Sequence, residues 1–205
     1  RGIFMSYSKE FNDAMDLCML SEVGPWFRRT HPACASGSVV SKSDRVAVGY
    51  VNDPADRGGE TKFGIAKNAN PELNITTLNY TQAEGVYYKK YWDSAECDKL
   101  PMLLNIIHFD ATVNHGAGNS GKFLQRALGQ LGKMVDGEIG PKTLTMIAAK
   151  TKTLAEIKVL CLLTLDQRDR FFKAIVANNP SQLKFINGWL SRTARLRKYI
   201  QDYKG

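Results

Sequence analysis

The sequence predicts a mainly α protein with two lobes and a small irregular β or loop region near its N-terminal third. Three observations carry this. Apolar residues recur at helical spacing through most of the chain. One stretch, Gly49 to Ile65, is too rich in glycine and too interrupted by Pro54 for any regular helix. A length of 205 residues with 43% hydrophobic content is enough to bury a sizeable core, either as one domain with two lobes or as two small domains.

The first helix starts at a Ser6 or Ser8 cap and runs to about Glu22. Phe11, Met15, Cys18 and Glu22 stand at i, i+4, i+7 and i+11, so a carboxylate ends an apolar stripe. A carboxyl group facing a core has its charged form desolvated and keeps its proton longer, as a general acid must. The same residue also reads as the solvated end of a helix that Val23-Gly24-Pro25 stops. Residues 26–48 read as an inserted surface excursion, with Ser38-Val-Val-Ser41 as a short hairpin.

The stretch Gly49-Tyr-Val-Asn-Asp-Pro-Ala-Asp-Arg-Gly-Gly-Glu-Thr-Lys-Phe-Gly-Ile65 then forms a loop or irregular hairpin. Its polar groups are Asn52, Asp53, Asp56, Glu60 and Thr61, and Gly58-Gly59 lets backbone approach a ligand or turn with positive φ. A solvated turn is the plainer reading of such a motif. Thr81-Gln-Ala-Glu84 reads as a capping box opening a helix with Tyr87, Tyr88, Tyr91 and Trp92. These aromatics are core residues, or Tyr88 or Trp92 is a platform for a sugar ring.

The segment Met102 to Val113 is apolar on every side, as a buried helix is, and ends in Asp110, Asn114, His115 and Gly116. An amphipathic helix comes after Gly121. Pro141 stands at the first position of another after the turn Asp136-Gly-Glu-Ile-Gly. Leu154 to Ala177 reads as one long helix, broken by Asn178-Asn-Pro180. The last helix carries Arg192, Arg195, Arg197 and Lys198, either a solvated basic face or an attraction to an anionic surface.

Composition limits the function classes. A net charge of +8 points to an anionic partner, and no recognised motif accompanies it that would make that partner nucleic acid. The four cysteines, Cys18, Cys34, Cys97 and Cys161, are spaced too widely for a metal or redox motif. Cys18 and Cys161 read as buried thiols, whereas Cys34 and Cys97 lie in loop-like sequence where a disulfide is an alternative. The three histidines, His31, His108 and His115, form no zinc-hydrolase pattern, so no metal and no cofactor are expected. There is no GxSxG, no run of eighteen apolar residues, and no charged-then-apolar leader. What the residues do allow is a pair of carboxyl groups in unlike settings with a hydroxyl nearby, the equipment of glycoside hydrolysis.

Leu20-Ser-Glu-Val-Gly, resumed at Gly49 to Ile65, resembles the Glu-Gly-Gly-Tyr-x-Asn-x-Pro-x-Asp-x-Gly-Gly-x-Thr-x-x-Gly-Ile signature of glycoside hydrolase family 108, the phage endolysin and N-acetylmuramidase family. Tyr91-Trp-Asp, Phe109-Asp-Ala-Thr-Val-Asn-His-Gly, Leu124-Gln-Arg-Ala-Leu-Gly, Asp136-Gly-Glu-Ile-Gly-Pro-Lys-Thr and Gly188-Trp-Leu-Ser-Arg resemble the helical peptidoglycan-domain half that accompanies it. The resemblance implies a lysozyme-like fold that hydrolyses the bond between N-acetylmuramic acid and N-acetylglucosamine, or cleaves it as a lytic transglycosylase. A non-catalytic wall-binding module is the alternative. The resemblance maps the catalytic glutamate, aspartate and threonine onto Glu22, Asp56 and Thr61. Substrate contacts are expected at Tyr50, Asn52, Gly59 and Asn114.

Residues 6–100 are then the catalytic segment, with the insertion near 26–48, and 101–205 the helical segment. Val23 and Ala66 depart from the family's glycine and threonine. Continuing directly back from Tyr50 would set Ala47 at the glutamate position. Glu22 is favoured because its helix matches the family's lead-in and carries the core stripe. The expected partner is bacterial peptidoglycan, with no nucleic acid and no stable membrane insertion. The chain is expected as a monomer, made in the host cytoplasm and released to the wall.

Overall fold

The computed structural model describes residues 6–53 and 58–205. It is mainly helical: α1 (Lys9–Glu22), α2 (Pro32–Ser36), α3 (Lys42–Val48), α4 (Tyr80–Tyr87), α5 (Leu104–His115), α6 (Ala117–Ala127), α7 (Pro141–Ala149), α8 (Leu154–Asn178) and α9 (Ile186–Asp202), with one antiparallel pair, β1 (Thr61–Lys62) and β2 (Ile65–Ala66). No described helix is long and apolar enough to cross a membrane. The chain forms two compact units, one of Met15–Lys90 and one of Tyr91–Gly205 with the N-terminal residues through Ala14.

In the Met15–Lys90 unit, Met15, Cys18 and Met19 of α1 are fully buried and Glu22 at the end of the stripe is half-buried. Ser38-Val-Val-Ser41 forms no hairpin. Ser41 caps α3 through a reciprocal pair with Asp44, so the Ser38–Ser41 stretch leads into a helix, because a Ser-x-x-Asp box satisfies two otherwise orphaned amides. The insertion lies at the surface, with most of its residues exposed, but it is anchored by the buried Ala33, Cys34, Ala47 and Val48. Gly37 ends α2 at φ +72, and a Cβ there would stand 2.3 Å from the Thr77 carbonyl oxygen. The fully buried Lys62 donates from Nζ to the carbonyls of Gly37 and Thr76, the latter at 3.0 Å, and so ties the insertion to β1. Arg29 adds ion pairs to Asp16 (3.0 Å) and Glu84 (3.4 Å) and lies 5.3 Å from the centre of the Tyr80 ring. Helix α4 begins ahead of the predicted capping box, because Asn79 and Gln82 cap each other there, leaving Glu84 inside the helix and buried.

In the other unit, α5 is buried from Leu104 to Thr112. Phe11, Trp92 and Phe109 meet edge-on or tilted with ring centres 5.4 to 5.8 Å apart. Trp92 is fully buried and donates to Asp98 Oδ1 at 2.8 Å, so it is a core residue with a satisfied indole and no sugar platform. Helix α6 begins at Ala117, earlier than the sequence pattern indicates. The basic face of α9 is largely turned to carboxylates. Arg192 is buried on Asp110 (2.9 Å), Arg197 joins Asp166 and Asp169 (2.8 Å each), and Lys198 pairs with Asp202. Asp110, itself 2% exposed, also accepts from Arg168 at 2.6 Å. Burial by itself would raise its pKa, but the two guanidiniums outweigh burial and hold it at about 2. All four cysteines are buried, and none of them is in a disulfide among the described residues.

Candidate active site

The turn between β1 and β2 organises the site. Thr61 faces Ala66 and Lys62 faces Ile65, leaving Phe63 and Gly64 as the two central residues, both with positive φ (51° and 74°). A two-residue hairpin loop of this kind matches the right-handed twist of its strands, and glycine takes the second position at little cost. The Tyr87 hydroxyl of α4 donates to the Phe63 carbonyl at 2.9 Å and fixes the turn from behind.

Glu22, from the last turn of α1, lies directly against this turn. A Cβ built on Gly64 would stand 3.1 Å from Glu22 Oε2, 3.0 Å from the Glu22 Cβ and 2.7 Å from the Tyr87 hydroxyl. Position 64 therefore excludes a side chain twice, by its backbone angle and by the carboxylate and phenol packed on it.

The same strand carries Thr61. Its backbone pairs with Val51 in both directions (2.9 and 2.8 Å), and its hydroxyl donates to the Gly59 carbonyl at 3.2 Å. That pairing sets Tyr50 and Asn52 on either side of the partner residue. The Tyr50 hydroxyl donates to Glu60 Oε1 at 2.7 Å, which also accepts from the Thr76 hydroxyl at 2.7 Å, while Arg45 stacks 5.1 Å from the Tyr50 ring centre. The hydrogen bond to Glu60 raises the Tyr50 pKa, with burial adding to it. Gly59 has φ +70 and leans on the Asn68 side chain, 3.3 Å from where its Cβ would be. Asn52 is exposed.

Of the residues predicted for the site, Glu22, Thr61, Tyr50, Asn52 and Gly59 thus all belong to the Met15–Lys90 unit, and Asp56 lies outside the described residues. Asn114 belongs to the other unit, at the end of α5, where it is exposed and accepts from Arg168 Nη2 at 3.0 Å. The parts played by Gly64, Tyr87 and Glu60 escaped sequence reasoning. Gly64 had a local signal only in the Phe-Gly dipeptide, since Lys62 and Ala66 give the flanking pairs little strand preference. Tyr87 had only its place among other aromatics, and Glu60 only its place among the polar groups of the loop. No cluster of three or more metal-ligating side chains occurs among the described residues.

Chemically, the arrangement offers a half-buried carboxylate beside a rigid turn, with a threonine hydroxyl on the adjoining strand and a tyrosine held by a second carboxylate. Comparison with known proteins gives this arrangement its class. Residues 47–116 match the family model of Glycosyl hydrolase 108, and residues 119–194 match that of a Predicted Peptidoglycan domain. The two matches follow one another along the chain and together support a glycoside hydrolase acting on peptidoglycan. Among solved structures, that of SagA from Brucella abortus is similar, with 25% identity over 93% of this chain and 93% of its own and a TM-score of 0.59. The fold is mainly α and lysozyme-like. No curated protein matches the sequence. The hydrolase match begins at Ala47, so it covers Tyr50, Asn52, Asp56, Gly59, Thr61 and Asn114 but not Glu22. Glu22 reaches the matched region through space, by its contact with Gly64.

Proposed function

We propose that this protein is an N-acetylmuramidase, hydrolysing the β-1,4 bond between N-acetylmuramic acid and N-acetylglucosamine with Glu22 as general acid. The observation that carries the reading is the carboxylate of Glu22 packed on the turn at Gly64, within the same unit as Thr61 and Tyr50. A general acid must be held rigidly at the leaving oxygen, and a helix end pressed on a two-residue turn provides that rigidity. In this reading Asp56 and Thr61 position the water for attack on the opposite face of the sugar, which is the inverting route. Tyr50, Asn52, Gly59 and Asn114 contact the glycan. Tyr50 is suited to that role because its hydroxyl is oriented by Glu60, leaving the ring as a fixed surface. The biological setting that goes with this chemistry is a phage endolysin, a monomer made in the host cytoplasm and acting on the wall at lysis.

The test is mass spectrometry of the fragments released from purified peptidoglycan by the natural protein and by Glu22→Gln. The reading expects reducing muramic acid ends from the natural protein and none from the variant. Anhydro-muramic ends would make the reaction a transglycosylation. Equal release by both proteins would remove Glu22 from the chemistry, and release by neither would leave only wall binding.

A further inference from the structure

We propose that the Asp136–Thr143 region is a binding site for the free carboxylate end of a peptide, which in peptidoglycan is the end of the stem peptide. The proposal rests on the peptidoglycan-directed reading above. It concerns a cavity that belongs wholly to the Tyr91–Gly205 unit and takes no part in glycan cleavage.

The turn Asp136–Gly140 is built to hold its shape. Gln125, 1% exposed, donates from Nε2 to Asp136 Oδ1 (2.7 Å) and to the Glu138 carbonyl (3.1 Å), and its Oε1 accepts from the Gly137 amide (2.8 Å). Gly137, at φ +93, lies so close to α6 that a Cβ there would stand 2.5 Å from the Gly118 carbonyl oxygen. A latch of this kind fixes the exit of the turn, and α7 starts at that exit.

Beside it lies a cavity of about 320 Å³ whose walls include Gln130, Lys133, Asp136, Glu138, Lys142 and Thr143. Two independent features of this cavity call for two different groups on one ligand. The first is the N-terminus of α7. Gly140 supplies no side-chain cap, Pro141 has no amide hydrogen, and the first-turn amides of Lys142 and Thr143 have no acceptor within the helix. Together with the ammonium groups of Lys133 and Lys142 they select an anion. The second is Gln130. It is only 2% exposed, its Nε2 is turned to the Met146 sulfur at 3.0 Å, and its Oε1 has no hydrogen-bond partner. A buried carbonyl oxygen left in this state gains a hydrogen bond when its side chain swings to meet a donor in the cavity, because as it stands almost none of its surface is exposed.

A carboxylate and an N–H donor set close together are what the last residue of a peptide presents. An inorganic anion with no proton to donate, such as sulfate, would satisfy the helix end and leave Gln130 unmet; a sugar hydroxyl would satisfy Gln130 and leave the two lysines without a charge. Asp136 and Glu138, on the same walls, disfavour a ligand with further carboxylates nearby and favour one that carries an amino group, as a stem peptide containing a diamino acid does.

The experiment is binding of defined probes to the full chain, read by calorimetry and by amide chemical shifts. The probes are a synthetic stem tetrapeptide with a free C-terminal carboxylate, the same peptide as its C-terminal amide, and glycan strands stripped of peptide. The acid is expected to bind and to shift the Gln130 side-chain and Lys142 backbone amides. The C-terminal amide should bind about tenfold more weakly, the loss of one charge-assisted contact. Peptide-free glycan should leave those amides unmoved. Gln130→Leu should weaken binding of both peptides. Lys142→Met, a substitution at an exposed position that keeps the fold, should weaken the acid and not the amide. Equal affinity for acid and amide, unchanged affinity in Lys142→Met, or the same shifts with bare glycan would overturn the proposal. Because the readout is peptide binding, failure here is distinct from failure of the muramidase reading, which is judged by glycan cleavage.

Discussion

Replacing Gly64 by alanine tests whether the Glu22 carboxylate depends on the turn it packs against. Two costs arise. At φ +74 an alanine takes on left-handed strain of about 1 to 2 kcal/mol. In a chain of this size each kcal/mol lowers Tm by roughly 2 to 4 °C, so the expected loss is about 2 to 8 °C. The second cost falls on the carboxylate. The new Cβ would stand 3.1 Å from Glu22 Oε2, where ordinary contact begins at 3.4 Å, so the carboxylate must withdraw by a few tenths of an ångström or more, and the Tyr87 hydroxyl at 2.7 Å must move further. A displacement of about 1 Å in a catalytic group can cost a hundredfold in rate, so lysis should slow by about 10- to 100-fold. The assay is loss of turbidity of permeabilised cells, read well below the variant's Tm. The control is Gly129→Ala, where φ is +86 and nothing lies within 4 Å of the added Cβ. It shares the backbone strain and should lose similar stability while lysing at the natural rate. If Gly64→Ala matches Gly129→Ala in both Tm and rate, the contact between Glu22 and the turn has no part in the chemistry.

Buried ionisable groups give two further expected outcomes. Burial lowers the pKa of His108 to about 4, against a smaller opposing effect of the Ala95 carbonyl, and burial with the Arg168 and Arg192 charges lowers His115 to about 3. Both stay neutral in the fold while the unfolded chain protonates near the ordinary value of 6.5, so stability is full above pH 6.5 and is lost as pH falls toward 4 and then 3. Asp110, held at about 2, adds its own loss only below its ordinary value of 3.8. His108 alone contributes a slope of up to about 1.4 kcal/mol per pH unit, and urea midpoints that stay flat from pH 6.5 to 4.5 would refute this. Lys62→Met leaves the Gly37 and Thr76 carbonyls without their buried donor and should cost about 2 to 4 kcal/mol in urea unfolding; a change within about 0.5 kcal/mol would mean that the insertion is held by other contacts.

Much of the helical framework was legible because its signals are local. The Ser8 cap, the stripe ending at Glu22, Pro141 at the first position of α7 and the length of α8 are each set by residues a few positions apart. Errors arose where a signal was local and its partner was not. Arg192 and Arg197 look like part of a basic face because sequence spacing does not reveal Asp110, Asp166 and Asp169, of which Asp110 is 82 residues from Arg192. The insertion at 26–48 gave no sign of being anchored because its anchor, Lys62, is a charged residue that one expects in solvent. Here the ammonium is paired with two carbonyls, which makes burial tolerable, and burial lowers its pKa while Glu60 and Cys34 oppose that shift.

The candidate site shows the same division more sharply. The Gly-Tyr-x-Asn…Gly-Gly-x-Thr motif is continuous, and family comparison finds it from Ala47 onward. The proposed acid is not continuous with it, since 26 positions of intervening chain separate Glu22 from Gly49, more than a motif read by spacing can bridge. Folding restores the connection in a way that constrains both ends. Helices α2 and α3 occupy the intervening chain, the Gly37 and Thr76 carbonyls are joined at Lys62, and the next two residues, Phe63 and Gly64, form the turn that receives Glu22. The insertion is therefore part of what sets the distance between helix end and turn. A change that loosens Lys62 should reach the Glu22 carboxylate through Phe63 and Gly64.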